Sequence, residues 1–243
     1  FNGTYWHSLG KVDKYYHQRK TLACAEKGIQ LIHVFEYEWN NEAKQQKIKN
    51  YLRNKITKAY KVVYARNTEV KIVGNDVAKE FYNINHLQGG INSEINLALV
   101  KDDEVLGMMS FGSPRFNNAF EYELTRLCFK DSVIVVGGSE KLFKHFINRY
   151  KPTSVISYCD LSKFSGNTYK NLGFSTFEIT EPNYVWVNTS KNEVLPRYKT
   201  QKHKLIKLGY GNESQTEDEI MEDLGYYKVY DSGNLRMTWK QTV

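Results

Sequence analysis

The chain has 243 residues, of which 41% are hydrophobic and 25% charged. That is enough for one large domain or two small ones, and it excludes a disordered tail, a collagen-like fibre and a coiled-coil rod. No run approaches eighteen apolar residues, so no helix of this sequence spans a membrane. Three cysteines, Cys24, Cys128 and Cys159, lie far apart without a Cys-x-x-Cys spacing. They suit neither a disulfide framework nor a zinc cluster and fit a reducing compartment. The net charge of +7 is unevenly spread: 13 basic against 5 acidic residues over 1–66, 12 against 14 over 67–190, and 9 against 8 over 191–243. The excess falls in the first quarter, where a polyanion is the expected partner.

In chain order, Val12, Tyr15, Tyr16, Leu22 and Ala23 recur at helical spacing and predict a helix over about 12–27, ended by Gly28. The short, β-branched run Ile29–Phe35 predicts a buried strand. A second helix is expected over about 41–57, with Ile48, Tyr51, Leu52 and Ile56 on one face and Lys44, Lys47, Lys49, Arg53, Lys55 and Lys58 on the other. From about residue 68 the pattern changes to strands at short intervals. Val70–Val73 is followed by a helix over 76–85, then by Ile95–Val100 and Val105–Phe111 as a hairpin around Lys101-Asp-Asp-Glu104. Tyr122–Phe129 is a strand, Val136-Gly-Gly-Ser139 a turn, and 139–149 a helix with Leu142, Phe143 and Phe146 inward. Val155–Tyr158, a short helix over 168–172, Phe174–Ile179 and Tyr184–Val187 would close the sheet. In the last fifty residues, Lys199–Lys207 is a basic run, Thr216 caps an acidic helix to Leu224, and Tyr226–Tyr230 with Leu235–Trp239 reads as a hairpin.

Phe1-Asn-Gly-Thr-Tyr-Trp-His7, Tyr16-His17-Gln-Arg-Lys20, Cys24, Gly28 and Leu31–Trp39 together resemble the C-terminal half of a Vsr-like endonuclease of the PD-(D/E)XK class, in the form carried by phage Hef-like homing endonucleases. The resemblance implies a magnesium-dependent DNA endonuclease acting on double-stranded DNA in the bacterial host cytoplasm, without a membrane. Phosphodiester hydrolysis needs a group to activate water and a cation to stabilise the transition state. His7 and His17 suit the first need and Lys20 the second; His17 and Lys20, three apart on a helix, are placed to face one phosphate. Arg19, Lys44, Lys47, Arg53 and Lys55 are the expected DNA contacts, and His33 is structural. The family's metal-binding aspartate lies just before the Phe-Asn-Gly turn. The chain opens on that turn, so the metal ligand is expected upstream of Phe1, and this chain is expected to bind duplex DNA while cutting it poorly.

Residues 68–190 resemble a GCN5-related N-acyltransferase (GNAT) domain, more narrowly a Mom-like one. The carrying residues are Asn85–Gly89, Met109–Arg115, Tyr122–Arg126, Val136–Phe143 and Tyr169–Phe174. A turn of backbone N–H groups at a helix N-terminus holds a pyrophosphate, which assigns Gly137, Gly138, Ser139 and Lys141 to acetyl-coenzyme A. Two residues before the first glycine, where the family's loop carries Arg or Gln, stands Val135. Acyl transfer onto a DNA base would use Glu123, Arg126, Tyr169 and Asp160. The strand period places Glu123 and Arg126 on opposite faces.

The expected architecture is therefore α+β or α/β: a partial Vsr-like restriction-endonuclease-type module over 1–66, a GNAT-like mixed sheet with flanking helices over 67–190, and an extension over 191–243. The leading expectation for function is a DNA endonuclease. A Mom-like DNA-modifying acyltransferase and a non-catalytic DNA-binding protein are the alternatives.

Overall fold

The computed structural model describes residues 1–57 and 61–241; Lys58 lies outside them. In chain order the elements begin with α1 (Tyr16–Glu26), α2 (Glu36–Trp39), α3 (Glu42–Ile56), β1 (Lys61–Tyr64), β2 (Glu69–Ile72), α4 (Asn75–Asn85), β3 (Ile95–Lys101), β4 (Glu104–Gly112) and β5 (Tyr122–Phe129). They continue with β6 (Val133–Val136), α5 (Gly138–Tyr150), β7 (Ser154–Asp160), α6 (Asn167–Asn171), β8 (Thr176–Ile179), β9 (Tyr184–Asn188), β10 (Glu193–Pro196), α7 (Lys202–Lys207), α8 (Glu217–Asp223), β11 (Tyr227–Tyr230) and β12 (Asn234–Lys240). The chain forms two compact units, each built from segments distant in sequence: 1–42 with 160–165 and 179–234, and 43–159 with 166–178 and 235–243.

The second unit is a mixed α+β fold. Its seven-stranded sheet runs β2-β3-β4-β5-β7-β12-β8. The β2–β3, β3–β4 and β4–β5 pairs are antiparallel, and β5 lies parallel to β7. A parallel pair needs a crossover, and α5 supplies it. Leu142, Phe143 and Phe146 give α5 an apolar stripe that packs with Leu97, Leu99, Met109 and Phe111. The Phe111 and Phe146 rings stack at 3.6 Å. On a second cluster α4 places Ala78, Phe81 and Tyr82 against Ala98, Val100 and Met108. Alternate residues of β3 thus join different clusters, which explains why Ile95–Val100 is wholly buried and, Asn96 apart, apolar without alternation. The β3–β4 turn is two residues, Asp102 and Asp103, both at positive φ (49° and 60°), the twist that tight hairpins prefer. A two-stranded parallel sheet, β1 with β6, leads into α5; no alternation in the sequence announced it.

In the first unit β9 is the middle of a three-stranded antiparallel sheet, between β10 and β11. Its Trp186 is fully buried with Leu205 of α7 and Ile220 and Met221 of α8. Helix α8 starts with a capping box: Thr216 Oγ1 accepts from Glu219 N at 3.2 Å and the Glu219 carboxylate accepts from Thr216 N at 2.7 Å.

Three sequence expectations change here. Ile29–Phe35 forms no ladder; it is held by an isolated Asn2–Phe35 bridge, by Asn2 N to Val34 O (2.8 Å) and by His33 N to Ser162 O (2.9 Å). Tyr184–Val187 does not close the large sheet, because β12 takes that place between β7 and β8. The expected hairpin of 226–230 with 235–239 is absent, since β11 and β12 belong to different sheets and the chain turns between them at Gly233, φ +75°.

Candidate functional site

Pairing of β5 with β7 covers only Tyr122–Leu124 against Val155–Ser157, after which the two parallel strands separate. Just there β5 is bulged: Ser110 pairs with Arg126 and Phe111 with Leu124, leaving Thr125 as the extra residue. The bulge rephases the strand. Tyr122, Leu124, Leu127 and Phe129 all face the α5 cluster, while Cys128 faces the α4 cluster. Glu123 and Arg126 therefore share a face, contrary to the simple two-residue period.

Both are buried, Glu123 at 1% exposure and Arg126 at 8%. Glu123 accepts from Arg115 N (2.9 Å), from Arg115 Nε (3.0 Å) and from the Arg115 Nη2. Arg126 donates Nε to Gly89 O (2.9 Å) and Nη1 to Thr125 O (2.8 Å), and burial, with Arg115 next, pushes its pKa down. Beside them runs a buried polar chain: Tyr82 hydroxyl with Ser110 Oγ at 2.7 Å, and Ser110 Oγ to Asn96 Oδ1 at 2.6 Å. On α6, the half-buried Tyr169 packs against the α5 core and edge-on to Phe174 (5.4 Å), and burial raises its pKa to about 12, so it is protonated at neutral pH; Ser157, the last paired residue of β7, donates to Leu124 O at 2.9 Å. Asp160 does not join this group. It caps the following turn, accepting from Ser162 N at 2.8 Å, and burial raises its pKa.

Helix α5 starts on Gly137, whose φ of +75° favours glycine, and no side chain caps it. The N–H groups of its first turn have no intrahelical acceptor and point at one place, the arrangement that binds anions. Gly138 is required by packing: a Cβ there would lie 2.6 Å from Phe129 Cε1 and 3.1 Å from Val135 Cβ. Ser139 is buried in the same turn. Lys141 is turned elsewhere, its Nζ donating to the carbonyls of Ala65 (2.8 Å) and Thr68. Val135 packs in the α5 core, so a side chain at that place faces inward.

The histidines do come together. His7 Nδ1 and His17 Nε2 are 2.9 Å apart, and His33 bonds Asn2 (3.0 Å) and Thr21 (2.9 Å). Yet His17 is 1% exposed, and burial with His7 nearby lowers its pKa to about 4; burial first, then His17, lowers that of His33 to about 3. His17 thus cannot face a phosphate together with Lys20, which is exposed and lies over the Tyr16 ring at 5.2 Å.

Much of the N-terminal positive charge is spoken for. Arg19 grips Asp13 through both nitrogens (2.8 and 2.6 Å), Arg53 pairs with Asp131 at 2.7 Å, and Lys47 donates to His86 O at 3.2 Å while burial lowers its pKa. Lys44 and Lys55 also have partners, Lys55 lying 5.7 Å over the Tyr51 ring. Lysine counts along a sequence cannot see such neutralisation, because Asp131 is 78 residues from Arg53.

Sequence reasoning passed over Ser157 and the Thr125 bulge. Residue type alone carried no signal for either; only strand register does.

No protein-family model matches the sequence, and no curated protein matches it. Among solved structures, an acetyltransferase from Bacillus subtilis in complex with CoA is 10% identical, with a TM-score of 0.39 over 72% of this chain and 99% of that one. A GNAT family acetyltransferase from Elizabethkingia anophelis with acetyl-CoA bound is 14% identical, with a TM-score of 0.37 over 72% and 99%. The endonuclease expectation is corrected here: both of these structures are acetyltransferases, and neither is a DNA-cleaving hydrolase. Magnesium, expected for the complete nuclease with its ligand upstream of Phe1, has no support, and among the described residues no group of three or more His, Cys, Asp and Glu side chains could hold a metal ion. No helix among the described residues is long and apolar enough to cross a membrane.

Proposed function

We propose that this chain is a GNAT-like acyltransferase that uses an acyl-coenzyme A thioester. The observation that carries the reading is the conjunction, in one unit, of a bulged strand parting from its parallel neighbour, an uncapped Gly-Gly helix start and a protonated tyrosine where the strands part. The donor set suits a pyrophosphate, because glycines leave the backbone N–H groups uncovered and the helix dipole adds partial positive charge. Gly137, Gly138 and Ser139 would hold it; Lys141, engaged by two carbonyls, would not.

Acetyl-coenzyme A supplies an activated carbonyl when bound. An acceptor nitrogen would attack that carbonyl and the carbon–sulfur bond would break; the proton that the nitrogen gives up to solvent balances the one that the departing thiolate takes up. The Tyr169 hydroxyl, protonated at neutral pH, is the proton donor. Arg115 and Glu123 fix the strand beside the gap, and Arg126 keeps a positive charge on the acceptor side. Duplex DNA is the partner proposed to carry the acceptor, a base amine, as the Mom-like resemblance implies.

Calorimetry with acetyl-coenzyme A tests the reading. Binding at micromolar strength that Gly137→Asp abolishes, in a variant that thermal melts show to be folded, supports it; a Cβ there has space, its nearest atom being Ala65 Cβ at 3.7 Å, while the φ of +75° strains the backbone. No binding by the folded wild-type chain refutes it. Transfer of labelled acetyl to duplex DNA then tests the acceptor separately.

A further inference from the structure

Residues 197–210 carry five basic side chains, Arg197, Lys199, Lys202, Lys204 and Lys207, and no acidic one. Over the whole segment 191–243 this charge is hidden by the acids of α8. Helices α7 and α8 pack through their apolar faces, and most of the acids of α8 turn to other partners. Glu217 accepts from Tyr184, Trp186 and Thr200, Asp218 pairs with Lys228, Glu219 closes the capping box, and Asp223 accepts from Gln215. Of the acids on α8, these four are turned to other partners, and Lys199, Lys204 and Lys207 form no ion pair among the described residues.

Those three lysines line a groove of about 460 Å³ together with Tyr198 and Leu208. Its apolar residues are exposed, Tyr198 at 62% and Leu208 at 67%, so the ring and the leucine are open to a ligand. Lys204 Nζ donates to Tyr198 O at 2.6 Å, which holds the backbone of the tyrosine beside α7. An exposed flat ring among ammonium groups that carry no carboxylate partner matches the two faces of an unpaired nucleotide: the base stacks on the ring and the phosphates meet the lysines. A duplex offers only its phosphates, and an acidic peptide offers no flat face.

We propose that the groove of Tyr198, Lys199, Lys204, Lys207 and Leu208 binds single-stranded nucleic acid. It lies in the unit that does not hold the proposed acyl site, and it does not depend on that reading.

Fluorescence anisotropy of a labelled oligothymidylate with the full chain tests it. Tyr198→Ala should weaken binding roughly tenfold with the salt slope unchanged, and Tyr198→Phe should retain it. Lys199→Gln with Lys207→Gln should flatten the log–log salt dependence by about 1.4, at about 0.7 per phosphate contact on a single strand. Lys204 is left intact because of its bond to the Tyr198 carbonyl, and thermal melts confirm that each variant folds. Unchanged affinity in Tyr198→Ala overturns the proposal, as does equal competition by a duplex of the same length or by polyglutamate. Acetyl-coenzyme A titrations of the same variants should match wild type, so that a failure here is distinct from a failure of the acyltransferase reading.

Discussion

Glu123 and Arg115 form an ion pair whose two ends sit in different solvent: the carboxylate is 1% exposed and the guanidinium side chain 45%. The bulge at Thr125 places Glu123 on the same face as Arg126, and Arg115 folds back over both. Removing the two partners should therefore cost unequally. Arg115→Ala leaves a buried carboxylate with one backbone N–H and should destabilise the fold by roughly 3 kcal/mol. Glu123→Ala leaves an arginine that reaches water and should cost about 1–2 kcal/mol. Urea unfolding of the two variants measures the order; the reverse order would mean that Glu123 is solvated.

Tyr169 should matter to turnover rather than to affinity. Its hydroxyl stays protonated across the neutral range, since burial has raised its pKa to about 12. Loss of a positioned acid typically costs 10²–10⁴-fold. Tyr169→Phe should lower thiol release from acetyl-coenzyme A by about a hundredfold while the calorimetric Kd stays within twofold. A Tyr169→Phe protein that turns over at the wild-type rate would remove this residue from the reaction.

Gly138 is fixed by packing rather than by backbone angle. Gly138→Ala drives a methyl to 2.6 Å from Phe129 Cε1 and 2.9 Å from its Cζ, and overpacking of this size costs about 1–3 kcal/mol. A lowered Tm with acetyl-coenzyme A binding largely kept at low temperature is the expected result. Gly137→Asp meets no close neighbour and is strained instead by its φ of +75°, a backbone cost of about 1–2 kcal/mol, while its carboxylate removes the anion. The two glycines are adjacent, yet they answer to different physics.

Local signals were legible in the sequence and long-range ones were not. The stripe Leu142, Phe143, Phe146 gave α5, the two-aspartate turn gave the β3–β4 hairpin, and Thr216 gave the start of α8. The Gly137-Gly138 turn was recognisable because its chemistry is local. By contrast, the pairing of β12 between β7 and β8, the insertion of β9–β11 into another unit and the bulge at Thr125 depend on register between distant strands. The burial of His17 and the pairing of Arg53 with Asp131 depend on tertiary neighbours. Charge arithmetic has the same limit: it counts Arg19 and Arg53 without the carboxylates that pair with them, and over 191–243 it averages the basic run 197–207 with the acids of α8.

Acid should unfold the chain through its neutral histidines, with two aspartates pulling the other way. His17, His33 and His86 have pKa values lowered to about 4, 3 and 3 by burial first of all. In the unfolded chain they take up protons as pH falls through about 6.5, and in the folded chain they do not until those lower values. The unfolded state therefore binds more protons, and stability declines from pH 6.5 towards pH 4. Asp231, raised to about 6 by burial, behaves oppositely: folded, it holds a proton that the unfolded carboxyl loses above about 3.9, so its stabilisation is full at low pH and is lost as pH rises through 6. Asp160, raised by burial as well, adds to that opposing slope. Thermal or urea unfolding between pH 4 and pH 6.5 should show stability rising with pH. His33→Gln should flatten that rise by nearly one proton and Asp231→Asn should steepen it; a His33→Gln protein with the wild-type slope would mean that His33 titrates normally in the fold.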